Sequence, residues 1–356
     1  MTHNGIIGGV RRISNSELQT YKECKRKWWL GWYRGLRFNT EAPVELKHTG
    51  DRVHRALEPW YVPEGQPQVD PREALERVIQ EDRAALYAKL GADGYDDPED
   101  HPDWIKLVKA NDLERIMVEG YIQWLEETGE DENLKIIASE TYVEAPLHGS
   151  YPQGTNEIRI VGKLDVRAER RSDGVRTFID HKTKAAFPPL DELQRDEQMQ
   201  FYELLEELVI LGEESDERCA GALFNVLRRV KRTANAKPPF YGRTPVMHNK
   251  HVRSAFLRRT RATVTDMQVT ERLLDAGRHH LDVVDARPSG DCGWKCPFAA
   301  ICTMFDDGSR VEDLLDRFYV AGDPLHYYGD LHTRGNDEQH ASANSVPAGA
   351  DPRSAG

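Results

Sequence analysis

Asp180 and Lys182 stand two residues apart in Thr177-Phe178-Ile179-Asp180-His181-Lys182, whose apolar approach reads as a short strand. Alternation along a strand turns this carboxylate and this ammonium to one face. A second acid, Asp165, ends the preceding segment Gly162-Lys163-Leu164-Asp165. Between the two aspartates lies Ser172-Asp173-Gly174, a hairpin signal whose centre falls nearly midway between them. The pair is therefore expected opposite or nearly opposite on antiparallel strands, with Cβ atoms on the order of 5 Å apart. Two such carboxylates repel, and apolar neighbours such as Val161 and Phe178 raise the cost. A divalent cation removes the conflict, and oxygen ligands suit Mg2+ or Mn2+. With a lysine alongside, the set matches phosphoryl transfer, in which the metal activates water and lysine orients the nucleophile or balances developing charge. The plainer alternative is a solvated hairpin carrying an Asp180–Lys182 charge pair.

The cysteines form a second constellation. Cys292, Cys296 and Cys302 crowd together near the C-terminal end, while Cys24 lies far upstream in Tyr21-Lys22-Glu23-Cys24-Lys25-Arg26-Lys27-Trp28-Trp29. A disulfide framework is not expected in a large intracellular chain. Four thiolates could hold a structural Zn2+. Cys219 begins "CAGALFNVL", which reads as a core strand with a buried free thiol.

The elements that must position these groups are legible in outline. At 356 residues with 39% hydrophobic and 30% charged content, the chain can form one large domain or two smaller ones. No apolar run approaches the roughly 20 residues of a membrane-spanning helix, and the first residues lack a signal-peptide core. A cytoplasmic protein with no membrane partner is expected. Net charge is −12, yet Val226 to Ala262 contains no Asp or Glu. A second basic stretch, Lys22 to Arg37, interleaves cations with Trp28, Trp29, Trp32 and Tyr33. These regions are candidates for phosphate-backbone contact and base stacking, against the plainer reading of solvated faces. No GxxxxGK[ST] phosphate loop is present, so no nucleotide-driven motor is expected.

Helices are predicted after Ser14 or Ser16, over His48 to Tyr61, from Pro71 onward and over Trp104 to Glu127. Near Leu134 the pattern changes to strands: "KIIASETYVEAPL", "EIRIVGKLDVRAER" and "RTFIDHKT". A helix follows Pro188-Pro189, then a strand from Cys219, then further helices leading to the cysteines.

Taken in order, Gly50-x-x-x-His54, Gly162-x-x-Asp165, Asp180-x-Lys182 and Gln198-x-x-x-Tyr202 resemble the PD-(D/E)XK nuclease superfamily. More narrowly they resemble RecB-type exonucleases and the CRISPR-associated exonucleases related to them. The resemblance covers roughly Ser14 to Phe305. It implies an α/β, restriction-endonuclease-like fold: a central mixed sheet flanked by helices, with a helical insertion and a cysteine-bearing C-terminal region. It divides the chain into N-terminal helices carrying Cys24 and His54 (1–61), a helical insertion (62–133), a nuclease core (134–235), C-terminal helices with the cysteines (236–333) and a disordered tail (334–356). It implies His54, Asp165 and Asp180 as metal ligands, joined by the backbone carbonyl of His181. Lys182 would be the catalytic lysine, with Gln198 and Tyr202 positioning DNA or the lysine, and Glu140 stands where some relatives carry another acid. Outside the motif, His54 would read as an ordinary helix histidine, and Gln198 with Tyr202 as one helix face.

The Cys24 segment resembles the first-cysteine segment of the iron–sulfur members. That implies a [4Fe-4S] cluster on Cys24, Cys292, Cys296 and Cys302, with structural Zn2+ as the alternative. This chain has C-x3-C where the family usually has C-x2-C, and Lys25 where proline is usual. The implied function is a metal-dependent DNA exonuclease acting on single strands or duplex ends, in recombination, repair or CRISPR adaptation, with protein partners in those processes. Compact members also occur in phage genomes. The competing reading is a DNA-binding or adaptor protein with weak or no cleavage, against which the intact Asp165, Asp180 and Lys182 argue. An RNA substrate also remains open.

Overall fold

The computed structural model describes residues 6–7, 9–39, 49–152, 156–213 and 219–325; the expected tail, 334–356, and His48 lie outside them. Strands β1 (Ile6–Ile7) and β2 (Val10–Ser14) lead into α1 (Asn15–Glu23), α2 (Lys25–Trp28), a π-helical turn over Trp29–Tyr33, and β3 (Leu36–Phe38). Three helices follow: α3 (Thr49–Leu57), α4 (Pro71–Ala92) and α5 (Pro102–Thr128). Then come β4 (Leu134–Pro146), β5 (Glu157–Arg170), β6 (Arg176–Lys184), α6 (Leu190–Leu193), α7 (Glu197–Gly212), β7 (Cys219–Arg228) and β8 (Tyr241–Val246). The C-terminal region holds α8 (Lys250–Asp275), α9 (His280–Val283), α10 (Cys292–Lys295), α11 (Ala299–Cys302), α12 (Val311–Phe318) and β9 (Tyr319–Ala321).

Local chemistry sets the boundaries that matter for the site. Ser14 caps α1, its side chain accepting the Glu17 N–H. Asp70 caps α4 with Pro71 in the first turn. The helix predicted after Pro188-Pro189 is two pieces, because Asp196 accepts the N–H groups of Gln198 and Met199 and restarts it as α7. Gln198 therefore lies in a helix's first turn rather than in its middle.

The seven-stranded sheet is mixed, which bears out the expected α/β class. β4 runs antiparallel along one edge of β5 from Arg159 to Arg170. The opposite edge of β5 is shared: parallel β2 pairs with Glu157 to Val161, and antiparallel β6 pairs with Val166 to Glu169. β7 joins β6 in parallel through the α7 crossover, and β8 closes that side antiparallel. Three strands of this sheet fall outside the 134–235 span expected to hold it: β1 and β2 upstream, and β8, whose Pro245 and short length hid it in the sequence.

Two apolar cores cover the sheet. One gathers Leu18, Trp28, Phe178, Phe201, Leu205, Phe224 and Val264 with residues of the cysteine region. The other joins Val53 and Leu57 of α3, Leu75 and Ile79 of α4, and Met117, Val118 and Tyr121 of α5 to Val166, Ile179 and Leu227. Trp28 and Trp29 are buried in the first core, and Trp28 donates its indole N–H to Glu17. Those two rings are therefore not base-stacking platforms.

Helix α3 and the two insertion helices α4 and α5 are locked together by buried charge. Arg52, fully buried on α3, donates through Nε to both carboxylate oxygens of Glu114 on α5 at 2.9 Å and through Nη1 to Asp82 on α4 at 3.2 Å. Asn111 adds a hydrogen bond to Glu114 at 3.0 Å. A buried pair of this kind is costly to break because the surviving charge has no solvent. Glu114→Leu is expected to destabilise the protein by about 3–5 kcal/mol in chemical denaturation, and adding Arg52→Leu to recover much of that loss.

Candidate active site

The β5–β6 ladder ends at Val166 opposite Ile179. One step further the register would set Asp165 against Asp180, as the hairpin arithmetic predicted, but there the strands part. The N–H of His181 then has no strand partner, and Asp165 accepts it through Oδ2 at 2.7 Å. On its other side His181 keeps β7, paired with Asn225.

The sheet also exchanges faces at this point. Gly162 lies against α7, where a Cβ would come within 2.9 Å of Tyr202 and of Leu205, and Arg167 also reaches α7, holding Glu206 at 2.9 Å and 2.8 Å. Strict alternation would put residues 162 and 167 on opposite faces. On β4 the matching position is Glu140, whose φ of +47° is unusual for a non-glycine strand residue. Glu140 thereby turns toward Asp165 at a backbone cost of roughly 1 kcal/mol or more.

The result is a small polar centre. His54 on α3 presents Nδ1 at 3.5 Å from Asp165 and 3.7 Å from Glu140. Its Nε2 donates to the carbonyl of His181 at 2.8 Å. Among the described residues, ligand atoms of His54, Glu140 and Asp165 are the three that lie within 4.8 Å of one another. Glu140 also pairs with Lys163. Asp180, nearly fully buried, instead holds Lys182, with Nζ at 2.8 Å from Oδ1 and 2.7 Å from Oδ2. Gln198 donates to the Tyr202 hydroxyl at 3.2 Å on the neighbouring face of α7.

Charges follow from these contacts. Burial disfavours an ionised Asp165, but the adjoining His54, with help from Lys182, holds its carboxyl well below the usual range. Burial opposes charge on His54, yet Asp165 and Glu140 outweigh it and raise the imidazole to about 10. Asp180 is pushed up to about 6 by burial, with Lys182 opposing and Asp165 adding to the rise. Two acids in one pocket thus differ in proton affinity, the more available one facing His54 and Glu140.

The sequence-predicted residues His54, Asp165, Asp180, His181, Lys182, Gln198 and Tyr202 all lie in or beside this pocket. The His181 carbonyl is engaged by His54, while its imidazole turns to the opposite side of the strand. Sequence reasoning gave Glu140 little weight because strand alternation alone does not turn it inward; only its left-handed backbone does. It also missed Asn225, a polar residue in the apolar run "ALFNVL", which was the available signal.

Elsewhere Cys24, Cys292, Cys296 and Cys302 line one cavity of about 480 Å3. The Cys24 sulfur accepts the Arg287 N–H at 3.4 Å and the Cys292 sulfur the Ser289 N–H at 3.3 Å. Arg26 binds the Cys302 carbonyl at 2.9 Å and Asp306 at 2.8 Å, joining the N- and C-terminal segments. No three of these thiols converge within 4.8 Å. Cys219 is buried in β7, as expected.

Glu140→Gly should relieve the strained backbone while removing a ligand atom. Its unfolding midpoint in metal-free buffer is expected to stay near that of the wild type, and its Mn2+ affinity, read by calorimetry, to fall at least ten-fold.

A sequence model of the PD-(D/E)XK nuclease superfamily matches residues 12–303, most of the chain. No curated protein matches it.

Proposed function

The chain belongs to the PD-(D/E)XK nuclease superfamily, whose members are metal-dependent phosphodiester hydrolases, and we propose that it is a DNA exonuclease acting on single strands or duplex ends. The observation that carries this reading is the intact pocket at the strand fork, with a nitrogen–carboxylate trio beside an Asp180–Lys182 pair.

The donor set suits Mg2+ or Mn2+: two carboxylates and an imidazole nitrogen of His54 that releases its proton when an ion binds. In this reading His54 ligates through Nδ1, since its Nε2–H is given to the His181 carbonyl, the usual second partner of a ligating histidine. Asp165 and Glu140 supply oxygens, and Asp180 borders the ion from the Lys182 side. A bound divalent ion would polarise the scissile phosphate and lower the pKa of a water. Lys182, held by Asp180 but a quarter exposed, orients the attacking water and offsets charge on the phosphoryl oxygens. Gln198 and Tyr202 line the approach and position the strand.

The loop after β7 offers a path for the backbone. Arg229 donates its N–H to Lys184, two residues beyond Lys182. Arg228, Arg229, Lys231, Arg232 and Lys237 form no ion pair among the described residues, and Arg232 lies over the Phe240 ring at 3.6 Å. Unpaired cations beside aromatic rings suit single-stranded nucleic acid.

We infer a [4Fe-4S] cluster rather than zinc at the cysteines. A tetrahedral zinc with bonds of about 2.3 Å needs sulfurs about 3.8 Å apart. Four thiols spread around a large cavity, two of them accepting backbone N–H groups, suit a larger group whose corners each take one cysteine. Anaerobically purified protein is expected to carry about four irons with broad visible absorption, and Cys24→Ser to lose most of it; stoichiometric zinc without iron would reverse the assignment.

The nuclease reading is tested with end-labelled single- and double-stranded DNA in Mg2+ or Mn2+. Shortening from the ends is expected for the wild type, abolished by EDTA and reduced at least a hundred-fold by Lys182→Ala. Binding without cleavage by the wild type would favour a DNA-binding adaptor, and internal cuts an endonuclease.

A further inference from the structure

His181 holds both neighbours of the metal pocket through its backbone: its N–H is donated to Asp165 and its carbonyl accepts from His54. Whatever fixes this one peptide fixes two ligating side chains. The fork leaves it without a strand on the β5 side, so the backbone ladder restrains it on the β7 side alone.

The side chain supplies the missing restraint. The His181 ring is buried against Tyr61, with centroids 5.2 Å apart, and near Tyr121. Its register partner Asn225 donates through Nδ2 to His181 Nδ1 at 2.8 Å. Asn225 is in turn the register partner of Arg243 on β8 and accepts Arg243 Nε through Oδ1 at 3.3 Å. Arg243 Nη1 donates to the Glu130 carbonyl and to Asp131, and Nη2 to the Tyr61 and Tyr121 hydroxyls, so all five of its N–H groups are engaged.

A guanidinium can only donate, and this gives the row a direction. Asn225 must offer its oxygen to Arg243 and its amide N–H to His181. The imidazole must then accept at Nδ1 and carry its proton on Nε2, a nitrogen that is buried with no hydrogen-bond partner. An apolar residue would fill an aromatic box without that unpaired donor, so packing does not account for a histidine here.

We propose that His181 is a positioning residue for the metal centre, clamped by the transverse row Arg243–Asn225–His181 so that its peptide holds Asp165 and His54 in ligating orientation. The inference rests on the metal-centre reading above. It adds Asn225 on β7 and Arg243 on β8 to the machinery, together with the His181 side chain.

The test is Mn2+ binding to the full chain without DNA, measured by calorimetry and by the electron paramagnetic resonance of free Mn2+. The proteins are wild type, His181→Leu, His181→Asn and Asp165→Asn. His181→Leu keeps both backbone groups and suits the aromatic box; it is expected to bind Mn2+ about 10–100-fold more weakly. His181→Asn presents Oδ1 where Nδ1 stood and is expected to recover near wild-type affinity. Wild-type affinity in His181→Leu, with Asp165→Asn impaired, would overturn the positioning role and leave the metal centre standing. Equal weakening in His181→Asn and His181→Leu would also overturn it, since the accepting atom would then be irrelevant. Undiminished binding by Asp165→Asn would remove the metal centre and the inference together.

Discussion

The site depends on one interruption: β6 leaves β5 after a short ladder, and a backbone N–H that would have met a carbonyl meets the Asp165 carboxylate instead. An unmet backbone donor in a protein interior is expensive, so the fork demands an acceptor at that point. Asp165 answers the demand and is thereby oriented, with its second oxygen toward His54. The same interruption opens the sheet edge to β2 further along, which keeps β5 paired on both sides of the gap. Structural need and chemical opportunity coincide at one residue.

Around the fork, two sets of helices contribute unequally. α7 carries Gln198 and Tyr202 and approaches β5 closely because Gly162 has no side chain to obstruct Tyr202. The insertion helices contribute no ligand themselves. Their role is to fix α3 through Arg52 and Glu114, and α3 carries His54 only two residues beyond Arg52. The placement of His54 is thus set by a buried ion pair among three helices.

Much of the architecture was legible in the sequence because it follows local rules. Hairpin arithmetic across Ser172-Asp173-Gly174 matched the Val166–Ile179 register one step before Asp165 and Asp180, Ser14 and Pro71 marked helix starts, and alternation marked β4, β5 and β6. What escaped follows from tertiary context. β8 is short and contains a proline, so its pattern is weak, yet pairing with β7 makes it a strand. Glu140 enters the pocket only through a backbone angle that no pattern of residue types announces. The tryptophans near Cys24 have the composition of a stacking surface, but the buried Glu17 takes one indole N–H and the core takes the ring faces. Motif order revealed the chemistry; strain, burial and cross-strand rows needed coordinates.

The clamp made by Arg26 joins it to Cys302 and Asp306, 276 and 280 positions away in the chain. During synthesis β8, the last strand of the seven-stranded sheet, is complete well before Cys302 leaves the ribosome. The cavity therefore closes only after α8 to α11 have been made, whereas the strand fork does not wait for them. Timing thus separates the two centres: one forms as the sheet assembles, while the other is a latch that engages only once the helices after β8 have been made.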